Sequence, residues 1–503
     1  MNLRNRLRMA REEPAKKAII IAGQQGLLNT TSAHAVLNIM PHEEQLLRAT
    51  QMQQARKQAK TREPTGRTLL MNAARKGDLQ RTLELLKNDA HVEVEDYDGR
   101  NALHWACIGV DGRYSAEHPA VLEALLHPPG RSANLKVVRR NRPPGSALID
   151  GVEIIDKGDK YRWFPLAYAC SYGNPELVQI LLNNGANTEI EHANPLIVAT
   201  ESDNEYDKAD VIRVLLRHGA NVEGSNPLYS TPLLAACNND NDRIEPVNIL
   251  LEAGANIMAI DKEGDTCIHF AAYKHNINII RLLVSKGVDV NVQNQPPPGA
   301  HIFRHTPLAC LCFNYVVHVD TARVLLELGA GINIQNDSGD TALHAACSHD
   351  NHVDPELIRL LITNGAGINI QNGMGHTPLH TACIHNLNTE ITQLLITNGA
   401  DVNAQNGVGD TPLHVACKHR KRPELIRFLI ANGANVEALN LERQTPFDVI
   451  TDVQEYGDPW IREVRQIFRE AGVAIPIEEG LNVPLLDGGR RRTKRTRKTR
   501  RRR

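Results

Sequence analysis

Aromatic side chains are scarce, only 4 % of the 503 residues. The core therefore cannot rest on large rings and must be filled by small aliphatic side chains, within a hydrophobic content of 42 %. Long apolar runs are missing as well. The run Ala18-Ile-Ile-Ile-Ala22 falls far short of the about 20 residues needed to cross a bilayer. The Arg-rich stretch Met1 to Arg11 leads into no apolar segment with a cleavage site, and Glu12, Glu13 and Pro14 arrive early for a transit peptide. No membrane partner is expected. The nine cysteines form no even framework, so a reducing compartment, cytoplasm or nucleus, is expected.

The signatures that carry catalysis are missing too. There is no G-x-x-x-x-G-K-[ST], no G-x-G-x-x-G after a strand, no H-E-x-x-H and no G-x-S-x-G. Carboxylates are plentiful but no pair stands out. Neither an enzyme nor a cofactor is expected. Net charge is also small, −1, but this is a cancellation. Residues 1–62 carry a net +7, the last 14 residues carry +11, and the stretch 63–489 between them carries −19. An acidic body between basic ends implies separate roles for body and ends.

What is present is a recurring phrase. It reads Thr-Leu-Leu-Met-Asn-Ala-Ala from 68, Asn-Ala-Leu-His-Trp-Ala-Cys from 101 and Phe-Pro-Leu-Ala-Tyr-Ala-Cys from 164. Further copies start at 194, 231, 266 and 306, and the clearest are Thr-Ala-Leu-His-Ala-Ala-Cys from 341, Thr-Pro-Leu-His-Thr-Ala-Cys from 377 and Thr-Pro-Leu-His-Val-Ala-Cys from 411. A worn copy, Thr-Pro-Phe-Asp-Val-Ile-Thr, starts at 445. The intervals run from 30 to 40 residues, with one of 63. Thr suits a helix N-cap, and Pro beside it suits the first helical position, where a missing N–H removes no bond. Leu, Ala and Cys mark the buried stripe of a short first helix. A second amphipathic helix follows, as in 175–182 and 355–362. It stops at a glycine: Gly185, Gly219, Gly254, Gly287, Gly329, Gly365, Gly399 or Gly433. An alternating arm such as 400–404 and turn residues such as Gln405-Asn-Gly407 then read as a hairpin to the next copy.

This pattern resembles the ankyrin repeat, with its period of about 33 and its T-P-L-H-x-A signature. The resemblance covers about eleven copies. It implies an all-α fold, an ankyrin repeat solenoid of helix-turn-helix units and hairpin loops, elongated and curved. It also implies a structural role for the phrase's histidine, and a partner-binding concave face formed by first helices and hairpin tips. One repeat cannot bury its own apolar face, so the ends must be capped. The last copy reads as such a cap, with charged residues on its second helix. The organisation expected is a basic, partly helical N-terminal segment over 1–63, the array over 64–475, and a disordered basic tail over 476–503. An insertion interrupts the array at about 128–162. It contains the basic run Lys136-Val-Val-Arg-Arg-Asn-Arg142 and reads as a solvated loop or a recognition loop.

Three constellations invite a chemical reading. His-x-x-Cys recurs at His104/Cys107, His344/Cys347, His380/Cys383 and His414/Cys417, a spacing that shares one helix face with zinc-ligand side chains. Cys170, Cys237 and Cys312 hold the same place without the histidine. Buried thiols standing in for alanine are therefore the expectation, and no metal is. A second stripe, His349, His385 and His419, lies two residues after the core cysteine in three successive copies, with Arg420 in the basic stretch Lys418 to Arg422. It is a candidate partner contact sensitive to pH between about 5 and 8. The third constellation is the tail, with Arg490, Arg491, Arg492, Lys494, Arg495, Arg497, Lys498, Arg500, Arg501, Arg502 and Arg503. It suits an import receptor or nucleic-acid phosphate, without aromatics to read bases.

The function expected is a non-enzymatic, monomeric scaffold binding a protein partner. The alternatives are a substrate adaptor for a ubiquitin ligase and a nucleic-acid-associated nuclear protein using the tail. The chain after the last copy is short and basic for a ligase-recruiting module. Ankyrin arrays occur in eukaryotes, large DNA viruses and intracellular bacteria, and the Gly-Gly then Arg/Lys/Thr ending is similar in composition to some giant-virus proteins. For such a source the site of action would be the host cytoplasm or nucleus.

Overall fold

In the computed structural model, the residues described are 63, 65–129, 154–190, 194–201, 208–224, 231–295, 304–314, 318–348, 354–385, 389–450 and 458–475. The N-terminal segment 1–62, the centre of the expected insertion, His349 and the whole basic tail lie outside them. Among the described residues the protein has 21 α-helices, two 3-10 turns and no strand. The chain divides into two units. The first comprises 1–346 with 352–366, and the second 347–351 with 367–503.

Local chemistry explains the helices. Thr411 has extended backbone and caps the Pro412–Lys418 helix, its hydroxyl accepting from the His414 N–H at 3.4 Å, with Pro412 in the first turn. Where Thr is replaced, Asn101 and Asn194 do the same work on the Leu103 and Leu196 N–H groups, each at 3.0 Å. Second helices begin similarly, as at Asn174 ahead of Pro175–Asn183 and Asp354 ahead of Pro355–Thr363. The expected terminating glycines all lie in the left-handed region, from φ 81 at Gly219 to φ 96 at Gly399.

Within each unit first helices pack on first helices and second helices on second helices. The phrase's third residue is buried in every copy before the worn last one, as Leu103, Leu166, Leu196, Leu308, Leu379 and Leu413 illustrate, whereas Phe447 of that last copy is half-buried. Cys107, Cys170, Cys237, Cys312, Cys347, Cys383 and Cys417 are buried as well. Burial pushes the thiols of Cys312 and Cys383 up to about 12, which makes them inert core groups.

The connecting hairpins are closed by side chains rather than by a ladder. Asn406 Oδ1 accepts the Val408 and Asp410 N–H groups at 3.1 and 2.9 Å, and Asn372 does the same for Met374 and His376. Two backbone donors satisfied by one side chain leave hairpins too short for strands. Successive tips then meet closely, the Gly407 N–H donating to the Met374 carbonyl at 2.8 Å. Gly375 (φ 74) has no room for a side chain, since a Cβ would lie 2.4 Å from the Gly407 nitrogen, whereas Gly399 faces open space. Gly399→Ala is expected to cost about 1 kcal/mol for its backbone alone, and Gly375→Ala about 2 kcal/mol or more, read from urea midpoints.

Residues 154–163, read above largely as the end of the insertion, form the hairpin arm of the third copy instead. Asp159 N–H donates to the Trp163 carbonyl at 2.8 Å, and Lys160 N–H donates to Asp98 of the preceding hairpin at 2.9 Å. The insertion therefore ends before Ile154. Its boundary was obscured because Phe164 replaces the Thr that marks other copies.

Candidate functional site

The phrase's histidines are wired into the scaffold. Thr377 N–H donates to His380 Nδ1 at 3.2 Å, so the proton sits on Nε2, which donates to the Asp410 carbonyl of the next copy at 3.0 Å. His104, His269 and His414 repeat the pattern toward Trp163, His305 and Gln444, at 3.1, 3.1 and 3.0 Å. Both ring nitrogens are engaged, leaving none for zinc. This also applies where Asp265, His269 and Cys310 come within metal-ligand distance of one another. Burial pushes His104, His269 and His380 down to about 4, against an ordinary 6.5. They are neutral couplers between copies at physiological pH.

The second histidine stripe is brought together in part. His419 is exposed at the end of the Pro412–Lys418 helix, His385 is half-buried at the end of the Pro378–His385 helix, and His349 lies outside the described residues. Burial first, then the charges of Lys421, Lys418 and His385, hold His419 below its usual value. Arg420 has a different employment. Its guanidinium pairs with Asp458 and lies 5.1 Å over the Trp460 ring, and Trp460 Nε1 donates to the Lys421 carbonyl at 2.7 Å. The backbone at Arg420 is left-handed (φ 50). This side chain fastens the final helix to the preceding copy.

Two surfaces went unrecognised in the sequence. In the first unit, Arg67 and Arg100 lie 4.9 and 5.5 Å over Trp105, and Arg100 also covers Tyr168 at 5.5 Å. Asp159 anchors this cluster. Burial would raise its carboxyl, but hydrogen bonds from Tyr168 and from the Trp163 and Tyr161 N–H groups, with Arg100, hold it below its usual value. Beside the cluster, Tyr97 and Tyr161 are 71 % and 59 % exposed at adjacent hairpin tips. The signal was available: eight of the chain's 20 aromatic residues fall between 97 and 172. In the second unit the tips carry Met374, Val408, Leu439 and Leu441, all more than half exposed. Aromatic, Met and Arg side chains of this kind are enriched where proteins meet proteins.

Comparison with known proteins agrees with the geometry. A family model described as "Ankyrin repeats (3 copies)" matches residues 37–137, 146–226, 205–294 and 351–440, and another, "Ankyrin repeats (many copies)", matches 318–354. Together they cover more than half of the chain. A probable serine/threonine-protein kinase of Dictyostelium discoideum is 38 % identical over 90 residues, 17 % of this chain and 8 % of the kinase. Ankyrin repeat protein OPG189 of Variola virus is 27 % identical over 129 residues, 25 % of this chain and 21 % of its own length. Ankyrin repeat protein nuc-2 of Neurospora crassa is 24 % identical over 226 residues, 42 % of this chain and 20 % of its own length. The chain thus spans at most 21 % of these three relatives, and the likeness to the kinase is confined to a short region. Among the described residues no helix is long and apolar enough to cross a membrane.

Proposed function

The chain belongs to the ankyrin repeat family, and on that premise we propose that it is a non-enzymatic scaffold that holds a protein partner on its hairpin tips and first helices. Ankyrin repeats imply a protein–protein interaction role, and the fold is typically non-enzymatic. The observation that carries the choice of surface is that each unit exposes large apolar or aromatic side chains at its hairpin tips. Tyr97 and Tyr161 in the first unit and Met374, Val408 and Leu441 in the second are all more than half exposed. Residues so placed contribute little to folding and have the composition of binding hot spots.

The test is affinity capture with the full chain and with two variants, Tyr97→Ser/Tyr161→Ser and Met374→Ser/Val408→Ser/Leu441→Ser. At least one should retain about a tenth or less of the captured partner with helicity unchanged. Full capture by both would remove the tips from consideration.

The basic tail supports a second reading, because 11 of its 14 residues are Lys or Arg. It serves an import receptor or nucleic-acid phosphate in the cytoplasm or nucleus, apart from the array's own partner. Affinity for a DNA duplex should fall on the order of a thousandfold between about 50 and 200 mM salt. Deleting residues 490–503 should abolish it. Binding that ignores salt or survives the deletion excludes this role for the tail.

A further inference from the structure

We infer that the second unit takes an acidic peptide segment with apolar side chains, gripped by its hairpin tips and by the cationic ends of its first helices. This rests on the protein-binding reading above and adds the chemistry of the partner.

The apolar half of the site is continuous. Met374, Val408, Leu439 and Leu441 are 71, 54, 53 and 76 % exposed. Their hairpins are joined directly, the Gly407 N–H to the Met374 carbonyl at 2.8 Å and the Leu441 N–H to the Val408 carbonyl at 3.1 Å. Four large aliphatic side chains thus line adjoining tips, a patch of the kind that marks an interaction site.

The charged half lies on the same face. Lys418 Nζ stands 3.8 Å from Asp410 Oδ2, which places the ammonium at the foot of the Val408 hairpin. His419 is exposed beside it. The groups facing His419 are Lys418 and Lys421 of its own copy, His385 of the preceding copy, and Asp410. Asp410 is the counter-charge, yet its side chain is only 4 % accessible and accepts from Asn440 Nδ2 at 2.8 Å. At the tip, exposed Glu442 and Arg443 offset each other. The face offered to a partner is therefore aliphatic at its rim and positive behind it, and the complement is acidic and apolar. Nucleic acid fits less well, since this strip offers no aromatic platform for bases.

A partner carboxylate beside His419 would favour its charged form, so binding takes up a proton and tightens as pH falls. The probe is a fluorescent peptide of alternating Glu and Leu, titrated against the full chain. Glu–Ser and Lys–Leu peptides and a single-stranded oligonucleotide serve as alternatives. The Glu–Leu peptide should bind roughly tenfold tighter than either other peptide. It should tighten about fivefold from about pH 7.5 to about pH 6. His419→Gln should remove the tightening, and Met374→Ser/Val408→Ser/Leu441→Ser should weaken binding about tenfold. Equal binding of the Glu–Ser peptide, preference for the Lys–Leu peptide, or displacement by the oligonucleotide overturns the proposal. So does an affinity unchanged by the tip substitutions, which would place the peptide on the basic tail. If the tip variants lose their captured partner while no peptide binds, this inference fails and the scaffold reading stands.

Discussion

Acidification from pH 7 to about pH 4.5 is expected to remove roughly 6 kcal/mol of stability, comparable with what holds a typical domain together. His104, His269 and His380 are fully or almost fully buried, and burial pushes each down to about 4 from an ordinary 6.5. Below pH 6.5 the unfolded chain takes up these protons, whereas the folded chain refuses them until about pH 4. Their stabilising contribution is therefore complete above 6.5 and lost as pH falls through that window, at about 1.4 kcal/mol per pH unit for each histidine. Asp265 works against them. Burial raises its carboxyl to about 6, so between pH 6 and its ordinary 3.8 it is the folded chain that holds the extra proton. Three histidines against one carboxylate leave a net loss. The proton would land on His380 Nδ1, so the bond lost is the one Nδ1 accepts from the Thr377 N–H within the copy, whereas Nε2 still donates to the Asp410 carbonyl. Urea midpoints across this range should fall steeply. His380→Gln should be weaker at neutral pH yet lose less on acidification. A midpoint flat from pH 7 to pH 4.5 would show that the fold does not hold the buried imidazoles neutral.

Deleting residues 445–475 is expected to turn a soluble protein into an aggregating one. The Pro459–Glu470 helix buries Ile461, Val464, Ile467 and Phe468 and leaves Arg462, Glu463, Arg469 and Glu470 in solvent. It packs on the Pro423–Ala431 helix, and Phe447 and Phe468 meet at 5.4 Å. Covering four such side chains contributes on the order of 8 kcal/mol, and its removal also bares the apolar side of the preceding copy. The milder Phe468→Ala should cost about 3–5 kcal/mol. Arg420→Ala, which releases the pairing with Asp458 and Trp460, should loosen the same helix. A truncated chain that stays soluble and unfolds cooperatively would contradict the cap.

Much of the array was legible because its determinants are local. Thr and Pro at a helix start, a glycine after the second helix, and a small thiol at a fixed place recur within a few residues of one another. A structural role for His380 followed only from resemblance, and its link to the next copy was not legible at all, since the acceptor is 30 residues away at Asp410. The pairing of Arg420 was hidden for the same reason: Asp458 and Trp460 approach it only once the worn final copy has folded back. The arginine–aromatic cluster joins Arg67, Trp105, Arg100 and Tyr168 across three copies and an insertion. No periodicity could align these residues. The exposed tips were hidden by their variety, since Tyr97, Tyr161, Met374, Val408 and Leu441 share a location but not a residue type.

On this reading the hairpin tips, and not the basic tail, hold the array's protein partner. Hydrogen exchange on the complex with the captured partner tests it most directly. New protection is expected at the tips near 97–100 and 159–162, or near 372–375, 406–409 and 439–442, with the second helices unchanged. Protection confined to the second helices, or a partner lost on deletion of residues 490–503 with the tips unprotected, would contradict it.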